Sequence, residues 1–170
     1  FTLWVALDLI FPIKQTINKT YRNLIRIGLA ILFIQIIYGA FVAGLDAGFI
    51  HNHWPMMSEG KFMHETVLTE KTPVYKNFIE GRSGVQFVHR ILAFIVVISI
   101  AIIYIKGKKI AVSNYQLNGL NSLLILVGLQ SLLGVLAILL QVPLWLGIAH
   151  QIGAFLLLSS MIFTLHRFSK

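Results

Sequence analysis

The sequence predicts an all-α integral membrane protein built as a four-helix bundle, and three observations carry that reading. Four apolar, nearly uncharged runs each reach the roughly 20 residues needed to cross a bilayer. Only 12% of the residues are charged, about half the share found in soluble domains. Lys and Arg collect in segments that fall on one side of those runs. In lipid every backbone amide must be bonded within its own segment, so the runs are helices. A mean hydropathy of +0.81 excludes a water-soluble enzyme. It equally excludes a disordered chain, which needs low hydrophobicity.

Residues 1–13 are apolar up to Phe11, with Asp8 the one charge, and the stretch stops at Pro12. It is too short to span and reads as the tail of a preceding transmembrane helix. With Phe at position 1, the chain reads as the back part of a longer protein. A signal peptide would show a basic start and a small-residue cleavage site, and neither is there. Residues 14–23 are read as a cytoplasmic loop and residues 24–165 as the bundle. Its spans lie at about 24–44, 84–105, 117–140 and 144–165, with an outer loop over 45–83. Residues 166–170 form a cytoplasmic tail.

Orientation follows from charge. Lys14, Lys19, Arg22 and Arg26 precede the first span, Lys106, Lys108 and Lys109 join the second to the third, and Arg167 and Lys170 follow the fourth. The long loop is balanced, with Lys61, Lys71, Lys76 and Arg82 against Glu59, Glu65, Glu70 and Glu80, and the turn Gln141-Val142-Pro143 carries no charge. The positive-inside bias then puts both ends on the cytoplasmic or matrix side. The net charge of +8 is this bias, so no nucleic-acid partner is expected. Trp54 and Trp145 fall at the predicted outer boundary, as interfacial anchors do. Small residues at Gly39/Ala43 and Ala40/Gly44 allow close helix approach. With no cysteine there is no disulfide framework, iron–sulfur ligation or thiol relay.

Six histidines in so apolar a chain are where function is sought. His89 lies five residues after Gly84 and His150 six after Leu144, on helices that both start at the outer face and run inward. At about 1.5 Å per residue, both imidazoles sit roughly 7–9 Å below the start of their helices. Two neutral imidazoles facing each other at one depth suit axial ligation of a haem iron, with the ring between the helices. Ala93 and Ala154, one turn beyond each, and Gly153 leave room for a porphyrin edge. The alternative is that each His bonds a neighbouring carbonyl and ties helices together. Arg90 is rotated about 100° from His89; it pairs with a haem propionate, as a cofactor-binding residue, or with Asp46, or it snorkels outward. His51 and His53 form an H-x-H pair without the further ligands a metal needs. With His64 they read as a solvated loop over the bundle mouth, while interfacial anchoring explains His166 beside Arg167. The chain also carries a coarse echo, two hairpins that each place a His near the outer start of the second helix.

The run Tyr38-Gly39-Ala40-Phe41-Val42-Ala43-Gly44-Leu45-Asp46-Ala47-Gly48, followed by Asn52-His53-Trp54-Pro55-Met56-Met57, resembles the mid-chain signature of haem A synthases. So do Asn77-Phe78-Ile79-Glu80 with Val85-Gln86-Phe87-Val88-His89-Arg90, and Val142-Pro143 with Ala149-His150-Gln151-Ile152-Gly153-Ala154. The blocks keep their order and spacing over residues 22–165. The resemblance implies eight transmembrane helices in two similar halves, and oxidation of the haem O methyl group to the formyl group of haem A for terminal oxidase assembly. It implies a substrate haem in an N-terminal half with a Glu-x-x-His-Arg motif, and a b-type haem held by two histidines in a C-terminal half.

This chain resembles the C-terminal half, the second half of an eight-helix pseudo-symmetric protein, with His89 and His150 as the iron ligands. Gln86 departs from the first half's Glu. An amide cannot act as a base, so no catalytic residue is expected here and the segment alone is not expected to turn over. The implied cofactor is haem b, with haem O as substrate of the complete enzyme. The implied partners are the lipid bilayer, the N-terminal half, haem O synthase and terminal oxidase assembly factors, in a bacterial cytoplasmic or mitochondrial inner membrane. A bis-His cytochrome b electron-transfer subunit is the second reading, but it would lack the Asp46, Asn52 and Trp54-Pro55 loop signature. A bundle without haem, its histidines serving as helix glue, is the third.

Overall fold

The computed structural model describes residues 2–11 and 18–169. Phe1, Pro12, Lys14 and Lys170, on which the reading of the chain start and two of the inner cations rest, lie outside the described residues. Helix α1 covers Thr2–Ile10, α2 Lys19–Gly44, α3 Thr66–Thr69, α4 Arg82–Ile110, α5 Asn114–Leu139 and α6 Leu144–Arg167. No strand occurs among the described residues. Helices α2, α4, α5 and α6 are long and apolar enough to cross a membrane. The protein is all-α and integral to the membrane.

Three of these helices begin before their apolar runs, because polar side chains finish their first turns. Asn18 Oδ1 accepts the Tyr21 amide at 3.0 Å and starts α2, an N-cap. Lys19 to Asn23, expected in a loop, are therefore helical. At α5, Ser113 and Gln116 form a reciprocal capping box: the Gln116 amide donates to Ser113 Oγ and the Ser113 amide to Gln116 Oε1, both at 3.3 Å. The first amides of α4 are held from a distance, by Glu70. Arg82 N–H donates to its Oε1 and Ser83 N–H to its Oε2, each at 3.0 Å. A carboxylate across two free amides at a helix N-terminus also meets the positive end of the helix dipole.

The chain divides into two compact units, one of residues 1–33, 96–130 and 153–170, the other of residues 34–95 and 131–152. In the first, Ile25, Ile100, Ile103, Leu120 and Met161 are fully buried. Glycines let the helices close on one another: a Cβ at Gly28 would lie 2.7 Å from Ile103 Cδ1, and one at Gly107 would collide with the Tyr21 hydroxyl. That hydroxyl donates to the Ile103 carbonyl at 2.7 Å. Between helices in lipid such contacts replace the hydrophobic effect as the source of association.

Helix α1 belongs to this unit. Asp8 Oδ1 lies 2.9 Å from Nε2 of His166, which is fully buried. Trp4 packs edge-on against the same imidazole, with ring centroids 5.0 Å apart. His166 is thus not an interfacial anchor but an inward-facing partner of α1. Arg167 stacks over the rings of Phe11 and Tyr115 at 4.6 and 5.4 Å, and its carbonyl accepts from Gln116 Nε2.

The second unit contains the long loop after α2. It holds a 3₁₀ turn at Ala47–Phe49, α3, and a second 3₁₀ turn at Val74–Phe78. Asn77, fully buried, organises it. Its Nδ2 faces the carbonyls of Leu68, Lys71 and Val74 at 3.1, 2.9 and 2.9 Å, while its Oδ1 accepts the Lys71 amide at 2.7 Å. Gly84 packs so closely on the Asn77 backbone that a Cβ there would overlap its carbonyl oxygen. The α5–α6 turn places Gln141 and Val142 in the left-handed region, at φ 57° and 52°, which is rare for a β-branched residue. Gly48 makes room for it, since a Cβ there would come within 2.9 Å of Val142 Cγ2. Asn52 Nδ2 joins the two segments, donating to the Gly48 and Ile138 carbonyls at 3.0 and 2.8 Å.

Candidate cofactor-binding site

His89 on α4 and His150 on α6 both fall in the second unit. Each ring sits against a glycine of the preceding long helix. A Cβ built on Gly39 of α2 would lie 3.3 Å from His89 Cε1, and one on Gly134 of α5 would lie 3.0 Å from His150 Cε1. Gln35, one turn before Gly39, brings its amide nitrogen to 3.4 Å from His89 Nε2. His89 Nδ1 is buried with no hydrogen-bond partner.

Arg90 is buried at 8% exposure and bonds to main-chain carbonyls of the loop. Its guanidinium donates to the main-chain carbonyls of His51 at 2.6 Å, His53 at 2.9 Å and Met56 at 3.2 Å. Asp46 is not among its acceptors; the Asp46 carbonyl is taken instead by Arg82, at 2.7 Å. A guanidinium carries five donors in a rigid fork, so one Arg can gather several loop carbonyls at once. Arg90 Nε remains buried without an acceptor. Gln86, one turn before Arg90, is buried and donates to the same His51 carbonyl at 3.3 Å.

The loop histidines form a chain. His51 Nε2 lies 3.0 Å from Ser83 Oγ, that hydroxyl 2.7 Å from Thr66 Oγ1, and Thr66 Oγ1 2.7 Å from His64 Nδ1. The Thr66 amide also donates to His64 Nδ1 at 3.2 Å, which makes that nitrogen an acceptor. The two imidazoles lie 4.6 Å apart, centre to centre. With Glu70 and Arg82 they line an open cleft of about 350 Å³. His51 is pushed down to about 4, first by burial and then by the neighbouring His64 and Arg90 charges. Burial opposes the charge of Glu70, yet the Ser83 and Arg82 amides and Lys71 together hold its carboxyl below the usual range. His53 contributes its carbonyl, which accepts from Arg90. The reading as a solvated loop is corrected for His51 and His64, which are half-buried and bonded to the start of α4, while His53 is exposed.

The donor set restricts the chemistry. Among the described residues no three or more of His, Asp and Glu converge to hold a metal ion. Two imidazoles in one unit suit instead a metal that brings its own in-plane ring and needs only axial donors. Gln35 Oε1, Gln86 Oε1, His89 Nδ1 and Arg90 Nε are all buried there without partners. Such a concentration calls for a specific explanation, and a polar group received by the site supplies one. Sequence reasoning missed Gln35 and Gly134, although the spacing Gln-x-x-x-Gly occurs in both α2 and α5 and was available as a signal. The Ser83–Thr66 link and the carbonyl acceptors of Arg90 leave no mark in a sequence.

The profile of the cytochrome oxidase assembly protein family, COX15-CtaA, matches residues 1–162. The chain belongs to this family. Among its members, the haem A synthase of Flavobacterium psychrophilum is 56% identical over 170 residues, all of this chain and 50% of its own length. That of Flavobacterium johnsoniae is 57% identical over 172 residues, with the same coverage. The Mus musculus haem A synthase COX15 is 33% identical over 173 residues, 99% of this chain and 41% of its own. The chain spans about half the length of the curated relatives it matches. In this family setting the histidine unit described above is the candidate site.

Proposed function

We propose that the chain is the C-terminal, cofactor-haem half of a haem A synthase. In it His89 and His150 supply the two axial imidazoles to the iron of one haem b. The observation that carries this reading is the matched seating of the two rings, each against a glycine of the preceding helix and both in one unit. The unpartnered polar atoms around His89 support it, as do relatives named haem A synthase along the whole chain. Arg90, whose carbonyl bonds fix the loop beside His89, keeps its buried Nε–H for a haem propionate.

A haem held by His89 and His150 would supply one-electron transfer. The chain's own residues hold it: His89 and His150 as neutral donors, Gln35 beside the His89 imidazole, and the Arg90-held loop as cover. Gln86 carries no charge and donates to a carbonyl, so it provides no base. The half therefore relays electrons to, or supports, a substrate-haem half where the methyl group of haem O is oxidised to the formyl group of haem A. Haem O synthase and terminal oxidase assembly factors are the partners this role calls for. The Lys and Arg distribution puts both ends on the cytoplasmic or matrix side and the long loop outside.

Purified protein is expected to show sharp reduced bands of low-spin haem, and His89→Ala and His150→Ala each to abolish them. Retention of the parent spectrum and haem content by both variants refutes the ligand assignment. Supplied with haem O, oxygen and a reductant, residues 1–170 alone are expected to give no formyl-bearing haem by mass. Product above a no-protein control places catalysis in this half.

A further inference from the structure

We propose that Gly39 and Gly134 are positioning residues, a matched pair of seats that fix the placement of the two axial imidazoles. The inference rests on the haem-ligation reading above. Glycine is a poorer helix former than alanine, and at these two positions the space it leaves is occupied. Its part here is not conformational, since neither glycine takes up a left-handed φ. It is space for a ring. A Cβ on Gly39 would stand 3.3 Å from His89 Cε1 and 3.9 Å from Nδ1. One on Gly134 would stand 3.0 Å from His150 Cε1, 3.6 Å from Nδ1 and 3.7 Å from Nε2. Gly44 on α2 and Gly128 on α5 have nothing within 4 Å of the same construction. The close fit to a ring is therefore particular to Gly39 and Gly134 and not common to the glycines of these helices.

The sequence repeats the device. Gln35-Ile36-Ile37-Tyr38-Gly39 on α2 and Gln130-Ser131-Leu132-Leu133-Gly134 on α5 share the pattern Gln-x-x-x-Gly. Residues four apart lie on one face of a helix, so each Gln sits one turn from its glycine on the same face. Gln35 places its amide at His89 Nε2 while Gly39 opens the space beside Cε1. One face of α2 thus defines both the position and the rotation of that ring. Ring orientation is a property that groups around a metal ligand control, and it tunes the metal. A methyl group at either glycine presses on the ring edge and turns or displaces the imidazole.

The test compares Gly39→Ala, Gly134→Ala and Gly128→Ala in the haem-loaded, detergent-solubilised protein. Electron paramagnetic resonance g-values, midpoint potential and haem-to-protein ratio are the readouts. Gly134→Ala, the tighter site, is expected to shift the low-spin g-values and potential or lose haem. Gly39→Ala should do the same less strongly, and Gly128→Ala should match the parent. Parent-like g-values, potential and haem content in both Gly39→Ala and Gly134→Ala overturn the proposal. Should Gly134→Ala fail to accumulate, Gly134→Ala/His150→Ala removes the ring that the methyl meets. It is expected to accumulate as His150→Ala does, and failure to do so overturns the proposal. If the parent shows no low-spin haem, or the His89→Ala and His150→Ala variants keep it, the ligation reading falls and this inference with it. If those two variants lose the signal while the glycine variants keep it unchanged, this inference falls alone.

Discussion

Asn77 shows how much of the loop rests on one side chain. It satisfies a backbone amide and faces three carbonyls from a position with no exposure. Asn77→Ala strands those groups, and stranded buried polar groups cost about 1–3 kcal/mol each before relaxation. We expect a net loss of about 2–3 kcal/mol, read as a lower thermal midpoint and faster proteolysis of residues 45–81. Asn77→Asp, of the same shape but turning a carboxylate toward three carbonyls, should be no more stable; a parent-like melt for it would contradict the donor role. At this scale the sequence was partly readable. His89 and His150 stood out because ionisable groups inside apolar runs are costly. Arg90 was equally conspicuous, but its acceptors are main-chain carbonyls, which every residue has and no motif marks. His166 was misjudged because its partner Asp8 is 158 residues away.

Among the elements, the four long helices were legible because an apolar run sufficient to span has few other structural outcomes. Their first turns were not, since they depend on caps such as Asn18, Gln116 and above all Glu70. Removing the Glu70 charge by Glu70→Gln should cost about 0.3–1 kcal/mol, the range for an exposed charge at a helix end. Loosened first-turn amides of α4 in hydrogen exchange would show it, and unchanged exchange there would argue against the cap. Acid should act on the same loop. The His51 imidazole takes up a proton at about 4 when folded, against an ordinary value of 6.5, so the unfolded loop binds that proton first. Its contribution is present above about pH 6.5 and is lost as pH falls toward about 4. Glu70, held below the usual carboxylate value, has the same sign: its stabilisation is present above that value and fades as pH falls through its lowered one. Loop protection against proteolysis should therefore decline from about pH 6.5 toward pH 4 through His51, with Glu70 adding a further loss at still lower pH. Protection that rises between pH 6.5 and 4 would contradict the His51 sign.

For the molecule as a whole, the apolar surface is the telling property. Phe33, Ile98, Ile125 and Phe155 are among many large apolar side chains left exposed along the long helices. So many exposed large apolar side chains belong against lipid or another protein, which composition alone had announced. What composition did not announce is that α1, read as the tail of a helix from elsewhere, docks within the first unit through Asp8 and Trp4 on His166. Asp8→Ala leaves the buried His166 imidazole short of an acceptor, at a cost of about 1–3 kcal/mol. Faster hydrogen exchange across Thr2–Ile10 is the expected result, and parent-like protection of α1 would show that the Asp8–His166 contact does not hold it.

The carboxylate that completes α4 lies twelve positions upstream of Arg82. Ribosomes deliver chains from the N-terminus, so Glu70 emerges before the helix it caps. The acceptor for the Arg82 and Ser83 amides has therefore been made before either amide exists. A chain delivered in this order supplies the cap ahead of the helix, so Glu70 is available to the first turn of α4 as soon as that turn forms.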